Sequence, residues 1–272
     1  MATKTKKQTS KKVKKDTREI PTYNLFEFSK KKTKYALIIP IINEGEKFKK
    51  QVRELKPYAK LLDILIADGG STDGSTDKRF LKSQGVRALL VKTGEGKLGA
   101  QYRMAFSYAM DQKYDGIITM DGNGKDDADS LNDYIKALDE GYDYIQGSRF
   151  IRGGKAINTP LMRVLAIRLL FSPMMTLASG HWYTDVTNGH RAYSRKLITD
   201  NNLKLFRNIF VKYEILFYIT ARANKLGLKT KEVPVTRKYP KTGKTPTKII
   251  GFRSQWELLS KTTAVALGKY NP

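Results

Sequence analysis

The sequence predicts an α/β fold in which a mostly parallel central sheet is covered by helices on both faces, and two patterns predict it. From residue 35 to about residue 147, short apolar runs alternate with stretches of helical periodicity. The apolar runs are continuous rather than alternating, which is typical of parallel strands buried on both faces. A length of 272 residues allows one sizeable domain of this kind.

Each element follows from its local pattern. Strands are predicted over residues 35–42, 62–68, 86–91, 115–121 and 142–148. Helices are predicted over 44–56, from a cap at Asp73 or Ser75 to about residue 83, over 98–112 and over 128–140. Beyond residue 150 come an apolar stretch at 161–178, a polar segment at 184–195, a helix starting near Glu214, a strand-like run at 230–239 and a final helix at about 251–267.

Basic residues are concentrated at the two ends of the chain. The net charge is +25; residues 1–34 carry 12 Lys or Arg against 3 acids, and residues 222–272 carry 12 against 2. High charge with few apolar residues predicts that residues 1–34 are a basic, disordered tail that lacks a secretory signal. The expected organisation is this tail, a folded domain over 35–250 and a C-terminal helical segment over 251–272.

The rare residue types exclude several kinds of site. There is no cysteine, and the two histidines are His181 and His190. This excludes disulfide scaffolds, thiolate zinc sites, thiol nucleophiles and polyhistidine metal centres. Any metal must be held by oxygen ligands, which favours Mg²⁺ or Mn²⁺.

Two polar loops follow predicted strands, at the sheet edge where α/β folds bind ligands. The first begins at Asp68 and includes Ser71, and both side chains can hydrogen-bond a base or a ribose. The second runs through Asp121, Gly122 and Asn123, where oxygen atoms can face a cation and glycine lets the backbone approach a phosphate. One such loop is also an ordinary turn. Two of them, on strands separated by one βα unit, favour a nucleotide site.

The motifs IPIINEGE, IADGGSTDGS, KLGAQYRMA, MDGNG and GYDYIQGSRF follow one another in the chain. Their order and spacing resemble the family 2 glycosyltransferases of the GT-A fold. The later segments TDVTNGHRAYSR, KYEIL and KEVPVTRKYPKTGKTPTK resemble the branch of dolichyl-phosphate mannosyltransferases and related polyprenyl-phosphate sugar transferases. The resemblance covers about residues 35–250 and implies a Rossmann-like GT-A domain that uses a nucleotide-sugar donor.

The resemblance also implies roles for particular residues. Asp121 matches the first acid of a metal-binding D-x-D, so Asp121 and Asn123 would hold Mg²⁺ or Mn²⁺. Arg149 would lie near the phosphates, and Asp185 and Arg191 beside the acceptor, with Asp185 as general base if the acceptor is a hydroxyl. The remaining donor-binding residues are Pro40, Asn43, Glu44, Asp68, Lys97, Gly99 and Gly122.

Four positions depart from the family pattern. They are Gly69 for a second aspartate, Asn123 for the second acid of D-x-D, Lys125 for a glutamine of the lipid-phosphate branch and His190 for a phenylalanine. Three compensations are open. Asn123 can bind a metal through its carbonyl oxygen, Asp126 or Asp127 can replace it, or the Lys125 ammonium can supply part of the cation's charge.

The function that the resemblance implies is inverting transfer of a hexose from a GDP- or UDP-sugar to a polyprenyl or dolichyl phosphate. Such an acceptor is already anionic, and Arg149, Arg163, Arg168 and Arg237 are candidates to hold it. One alternative is a family 2 transferase that acts on a saccharide in surface-glycan assembly, and another is a sugar-nucleotide-binding protein whose catalysis has decayed. Nucleic-acid binding is the least favoured, because no helix-turn-helix, zinc-finger or RNA-recognition pattern is present, and we expect no nucleic-acid partner.

The apolar stretch 161–178 bears on contact with a membrane. No run of about 20 apolar residues is free of charge, so we expect no transmembrane helix. Arg163, Arg168 and Pro173 interrupt this stretch, which is either packed on the sheet or lies at an anionic membrane surface. We therefore expect a cytoplasmic protein, with peripheral attachment to the cytoplasmic membrane face as the further hypothesis.

Overall fold

The computed structural model describes residues 18–240 and 251–272, and within them the main feature is an eight-stranded sheet. The strands are β1 Tyr23–Glu27, β2 Tyr35–Ile41, β3 Leu62–Asp68, β4 Val86–Lys92, β5 Gly116–Thr119, β6 Tyr144–Ser148, β7 Lys155–Ile157, β8 Arg191–Ser194, β9 Thr230–Pro234 and β10 Thr236–Lys238. The eight-stranded order is β1-β4-β3-β2-β5-β8-β6-β9, and β7 and β10 form a separate parallel pair. Only β1 and β8 run antiparallel to their neighbours in the large sheet. The predicted mostly parallel sheet is confirmed.

Helices cover both faces of this sheet. They are α1 Gly45–Leu55, α2 Lys78–Ser83, α3 Leu98–Asp111, α4 Leu131–Asp139, α5 Leu161–Ala166, α6 Ser172–Ser179, α7 Arg195–Ile198, α8 Glu214–Ala223 and α9 Gly251–Ala266. Successive residues of a strand point to opposite faces. In β2, Ile38 packs into the core beneath α3 and α8, whereas Ile39 packs into the core beneath α1 and α4. Two cores on one sheet explain why the strands are apolar without alternation.

The N-terminal boundary at residue 34 needs a correction. Residues 1–17 lie outside the described residues, but β1 falls within the segment predicted to be a disordered tail. It pairs antiparallel with the outer edge of β4, and Phe26 and Phe28 pack against the core. Arg18 also forms an ion pair with Asp111. The lysines of this segment dominate its composition and conceal the short strand.

Strand β8 is the second feature that the sequence did not indicate. It lies between β5 and β6, antiparallel to both, and comes from the segment predicted only as polar. Four residues, two of them Arg191 and Ser194, are too few to give a period of two. The strand-like run 230–239 is likewise divided at Val235 into β9 and β10.

The apolar stretch forms one helical rod, Leu161–Ser179, in which a π-helical turn at Ile167–Phe171 joins α5 to α6. The π-helical turn precedes Pro173, whose missing N–H removes one helical hydrogen bond. By length and composition alone this rod is able to cross a membrane, contrary to the expectation from its two arginines, and 28% of it is buried.

Candidate donor site at the carboxyl edge of the sheet

The Asp68 side chain stabilises the loop after β3 through hydrogen bonds to other residues of the same loop. Its side chain is fully buried. Oδ2 accepts hydrogen bonds from the backbone amides of Gly70 (3.0 Å) and Ser71 (2.9 Å), and Oδ1 accepts one from the Ser71 hydroxyl. The carboxylate therefore shapes the loop, because its oxygens accept from the loop's own donors, and a direct contact of Asp68 with the nucleotide stays a prediction.

The loop after β2 is tied to the loop after β3. Asn43 has a positive φ of 50°, its backbone amide donates to the Ser71 hydroxyl (2.9 Å), and its side-chain oxygen accepts from the Thr72 amide (2.8 Å). Gly45, next to the half-buried Glu44, donates to the Asp73 carboxylate (2.8 Å). The structure thus brings Asn43 and Glu44 to the same sheet edge as Asp68, as predicted from the resemblance.

The departure at Gly69 has a steric reason. A β-carbon at this position would lie 3.2 Å from Nε2 of Gln101 and 3.2 Å from Cβ of Ile42. The Gln101 amide is buried there because it donates to the carbonyl oxygens of Ile41 and Ala67, both at 2.8 Å. Gln101 therefore links the ends of β2 and β3 and occupies the space that a second aspartate would need.

The loop after β5 presents Asp121 at the centre of the site. Gly122 lies against Ile41 and the Pro40 carbonyl, where a β-carbon would clash with the Ile41 side chain. Asp121 is partly accessible, with 27% of its side chain exposed. Gln51 on α1, which sequence reasoning missed, donates to the Asp121 carbonyl (2.9 Å) and fixes the loop.

Arg237 forms ion pairs with two carboxylates of this loop, Asp121 and Asp126. Its Nη2 donates to Oδ2 of Asp121 at 2.7 Å, and its Nη1 lies 2.6 Å from both carboxylate oxygens of Asp126. Burial lowers the pKa of Arg237, but Asp126 and Asp121 outweigh it and raise that pKa well above its ordinary value. Arg237 was named from the sequence only as one of several arginines, because nothing local to it shows that it reaches Asp121.

Lys125 is a second cation near Asp121. It is 6% exposed, and its Nζ lies 5.0 Å from the centre of the Tyr239 ring. Burial and the neighbouring Arg237 lower the pKa of Lys125 to about 8. Burial raises the pKa of Asp121, but Arg237 and Lys125 outweigh it, so that pKa is lowered. Two cations and two carboxylates thus share one buried cluster.

The residues predicted to hold Mg²⁺ or Mn²⁺ do not form a metal site in this arrangement. Oδ2 of Asp121 already accepts from Arg237, and the Asn123 amide nitrogen, not its oxygen, faces Oδ2 of Asp121 at 3.4 Å. Asp126, the open replacement, has both oxygens on Arg237. Within residues 18–240 and 251–272, no group of three or more His, Asp or Glu side chains is placed to hold a metal ion.

The predicted general base is buried in an ion pair. Nε of Arg149 lies 2.6 Å from Oδ2 of Asp185, and its Nη2 lies 2.8 Å from Oδ1. Asp185 is fully buried, and Glu232 holds its backbone amide at 3.2 Å. The Arg149 guanidinium and the Asp185 carboxylate therefore face each other, and their expected roles near the phosphates and as general base stay predictions. Glu232 was missed in the sequence, where it is one acid in a strand.

Arg191 also has a different position from the one expected. It is 1% exposed and donates to the carbonyl oxygens of Val186 (2.6 Å), Asn188 (2.8 Å) and Leu216 (2.7 Å). A buried arginine needs such acceptors on every side. Arg191 therefore positions the loop before β8 against α8, and its expected role beside the acceptor stays a prediction.

Lys97 and Gly99 lie at the start of α3. Their backbone amides donate to the Val211 carbonyl at 3.2 and 3.0 Å, and the Lys97 side chain is exposed. Gly99 packs so closely on Phe210 that a β-carbon would overlap its backbone. Lys97 thus has an exposed side chain at the start of α3 and Gly99 is a packing residue, and the contact of both with the nucleotide stays a prediction.

The parallel sheet, the three loops at its carboxyl edge and the charged cluster at Asp121 are typical of glycosyltransferases with the GT-A fold. The chain belongs to glycosyl transferase family 2, and the model of that family matches residues 36–201.

Its similarity to characterised proteins extends beyond the family. The polyprenol monophosphomannose synthase of Mycolicibacterium smegmatis is 29% identical over 74% of this chain and 76% of that protein. The undecaprenyl-phosphate mannosyltransferase of Micrococcus luteus is 29% identical over 73% of this chain and 81% of its own length.

Solved structures support the fold. Glucosyl-3-phosphoglycerate synthase from Mycobacterium tuberculosis, in complex with Mn²⁺, UDP and phosphoglyceric acid, has a TM-score of 0.58 at 16% identity, covering 88% of this chain and 79% of that chain. The same enzyme in complex with Mg²⁺ and UDP has a TM-score of 0.53 at 15% identity, covering 86% and 78%. At these identities the likeness establishes the GT-A fold.

Proposed function

We propose that the chain transfers a hexose from a GDP- or UDP-sugar to a polyprenyl or dolichyl phosphate with inversion of the anomeric centre. The observation that carries this proposal is the engagement of Asp185 with Arg149. A hydroxyl acceptor needs a general base, and the carboxylate best placed in the sequence for that role has both oxygens on a guanidinium. A phosphate acceptor is already anionic and needs no base. The names of the two mannosyl-transferring relatives support the same acceptor class.

The reaction follows from the arrangement of charges. A phosphate oxygen of the acceptor forms a bond to the anomeric carbon, and the bond from that carbon to the donor's diphosphate oxygen breaks. The nucleoside diphosphate leaves with the electron pair, so negative charge develops on it. Cations held in a buried site stabilise such charge more strongly than they do in water. Lys125 and Arg237, beside Asp121, are the described cations that support this role.

The cofactor is a separate question. The solved structures named above contain Mn²⁺ or Mg²⁺ with UDP, which supports the divalent cation predicted at Asp121 and Asn123. The hydrogen bond from Arg237 to Asp121 opposes it. The proposed transfer requires only that positive charge faces the diphosphate. A divalent cation meets that requirement, and so do the side chains of Lys125 and Arg237.

We propose further that the chain meets an anionic membrane surface through the rod Leu161–Ser179. Leu161, Met162, Leu169 and Leu177 are each at least 70% exposed, as is Trp182 just beyond the rod. The rod also adjoins the donor site, because Nη1 of Arg163 donates to the Tyr239 hydroxyl at 2.7 Å. Exposed apolar side chains with arginines among them are typical of helices that lie at the bilayer interface. A lipid-linked phosphate held there would be close to the donor.

Acceptor specificity is tested by supplying labelled GDP- and UDP-sugars with either a polyprenyl phosphate in detergent micelles or a panel of glycans. The proposal predicts label in the organic phase, in an acid-labile sugar phosphate, with inverted anomeric configuration. Boiled protein and micelles without lipid phosphate are the controls. Transfer only to glycans would contradict the lipid-phosphate acceptor and support the saccharide alternative.

A further inference from the structure

We propose that Lys125 and Arg237 together take the place of the divalent cation at the donor diphosphate, so that this chain binds and uses its donor without added metal. The inference rests on the proposed function and concerns the same site. It is carried by charge, by hydrogen bonding and by burial around Asp121.

The loop after β5 is more positive by two charges than the D-x-D pattern of the family. Asn123 stands for an acid, and Lys125 stands for a neutral glutamine. Each change makes the loop more positive by one charge. The two changes together raise the charge of this loop by two, which is the charge of one Mg²⁺ or Mn²⁺ ion. Arg237 comes from β10 and adds a further cation that is paired with Asp126.

The hydrogen bonds at Asp121 lead to the same conclusion. Asp126 fixes Nη1 of Arg237 through both of its oxygens at 2.6 Å, and this directs Nη2 onto Asp121 at 2.7 Å. A metal ion bound through Oδ2 of Asp121 would have to displace this guanidinium and would then lie near two positive side chains. Repulsion between like charges is strong in a site that is shielded from water. Arg237 therefore competes with a metal ion for this oxygen.

Burial shows that Lys125 belongs to the site and not to a solvated surface. The side chain is 6% exposed and extends over the Tyr239 ring, on the same side of the site as Arg237. Its backbone amide is held by the Asn123 side-chain oxygen at 3.3 Å. That oxygen is the atom through which asparagine would bind a metal, so the loop uses it to position the lysine.

Nucleotide binding tests the inference without relying on turnover. UDP and GDP are titrated by calorimetry into the full chain with EDTA, with Mg²⁺ and with Mn²⁺. We expect the tighter nucleotide to bind with a Kd that changes by less than about threefold between these conditions. Lys125→Gln should weaken binding in EDTA by about tenfold or more, which corresponds to about 1.4 kcal/mol. Lys136→Gln, at an exposed position on α4, is the matched control and should leave the Kd unchanged.

A second variant converts the site instead of only weakening it. Asn123→Asp with Lys125→Gln and Arg237→Gln restores the acid at position 123 and removes both cations, and we expect the nucleotide affinity of this variant to become Mn²⁺-dependent by about tenfold or more. Wild-type binding that is lost in EDTA and restored by Mn²⁺ would overturn the inference while leaving the proposed function intact. Failure of every nucleotide to bind under all conditions would instead contradict both.

Discussion

At the scale of single residues, the pairing of Arg149 with Asp185 determines what Asp185 can do. A buried charge whose partner is removed is strongly destabilising. We therefore expect Asp185→Asn to lower the free energy of unfolding by about 3 kcal/mol or more, measured by urea denaturation. Asp133→Asn, at an exposed position on α4, is the control and should change it by less than about 1 kcal/mol. An Asp185→Asn protein with unchanged stability and abolished turnover would show that Asp185 is the base after all.

His190 supplies a prediction about pH. It is fully buried against Tyr134, and its Nε2 has no hydrogen-bond partner among the described residues. Burial lowers its pKa below the ordinary value of 6.5. As the pH falls through 6.5 the unfolded chain takes up a proton that the folded chain does not, so this histidine removes stability below that pH, by at most about 1.4 kcal/mol per pH unit.

His190→Phe should remove this contribution, and phenylalanine is the residue that the lipid-phosphate branch has here. Unfolding free energies of wild type and variant are compared at steps from pH 5 to pH 8, and we expect the variant to gain relative stability as the pH falls below 6.5. A difference that does not change over this range would contradict the neutral, buried state of His190.

At the scale of elements, the rod Leu161–Ser179 supplies a prediction about membranes. Leu169 is 73% and Leu177 84% exposed, so replacing both with glutamine removes apolar surface without disturbing the core. We expect the double variant to bind vesicles of anionic phospholipid at least about tenfold more weakly than wild type, since burying each leucine contributes roughly 1 kcal/mol or more. Flotation measures the bound fraction. Leu61→Gln, at a 50% exposed leucine outside the rod, is the control, and equal binding by all three proteins would contradict the interface.

The elements also show which parts of the fold a single sequence can reveal. Strands β2, β3 and β4 are predicted almost to the residue, because seven consecutive residues of β2 and of β3 and five of β4 are buried and give continuous apolar runs. Strand β1 pairs at an edge, and β8 has four residues, so neither carries a pattern of its own.

The candidate site likewise has one part that local motifs predict and another part that they do not. Loop positions such as Asp121 and Asn43 follow from local motifs. By contrast, the Arg237–Asp121 bond joins residues 116 positions apart, and the pairing of Arg149 with Asp185 spans 36. Which side chains become mutual partners is decided by packing between β6, β9 and the loop before β8. Sequence distance conceals this, so local motifs could not predict either ion pair.

At the scale of the whole molecule, the fold concentrates its chemistry at one sheet edge and joins it to one apolar surface. The loops after β2, β3 and β5 meet at that edge, and Tyr239 links the cation cluster to Arg163 on α5. A net charge of +25 favours approach to anionic surfaces. This layout is the one that the proposed transfer, from a soluble donor to an acceptor held in a membrane, requires.

We infer that the chain is a nucleotide-sugar-dependent transferase with Asp121 at its donor site. The decisive measurement is the release of nucleoside diphosphate over a panel of GDP- and UDP-sugars, with polyprenyl phosphate and with glycan acceptors. We expect release from at least one donor, and we expect Asp121→Ala to lower kcat by about 100-fold or more while Asp133→Ala leaves it unchanged. No release from any donor with any acceptor, or full activity in Asp121→Ala, would contradict the claim.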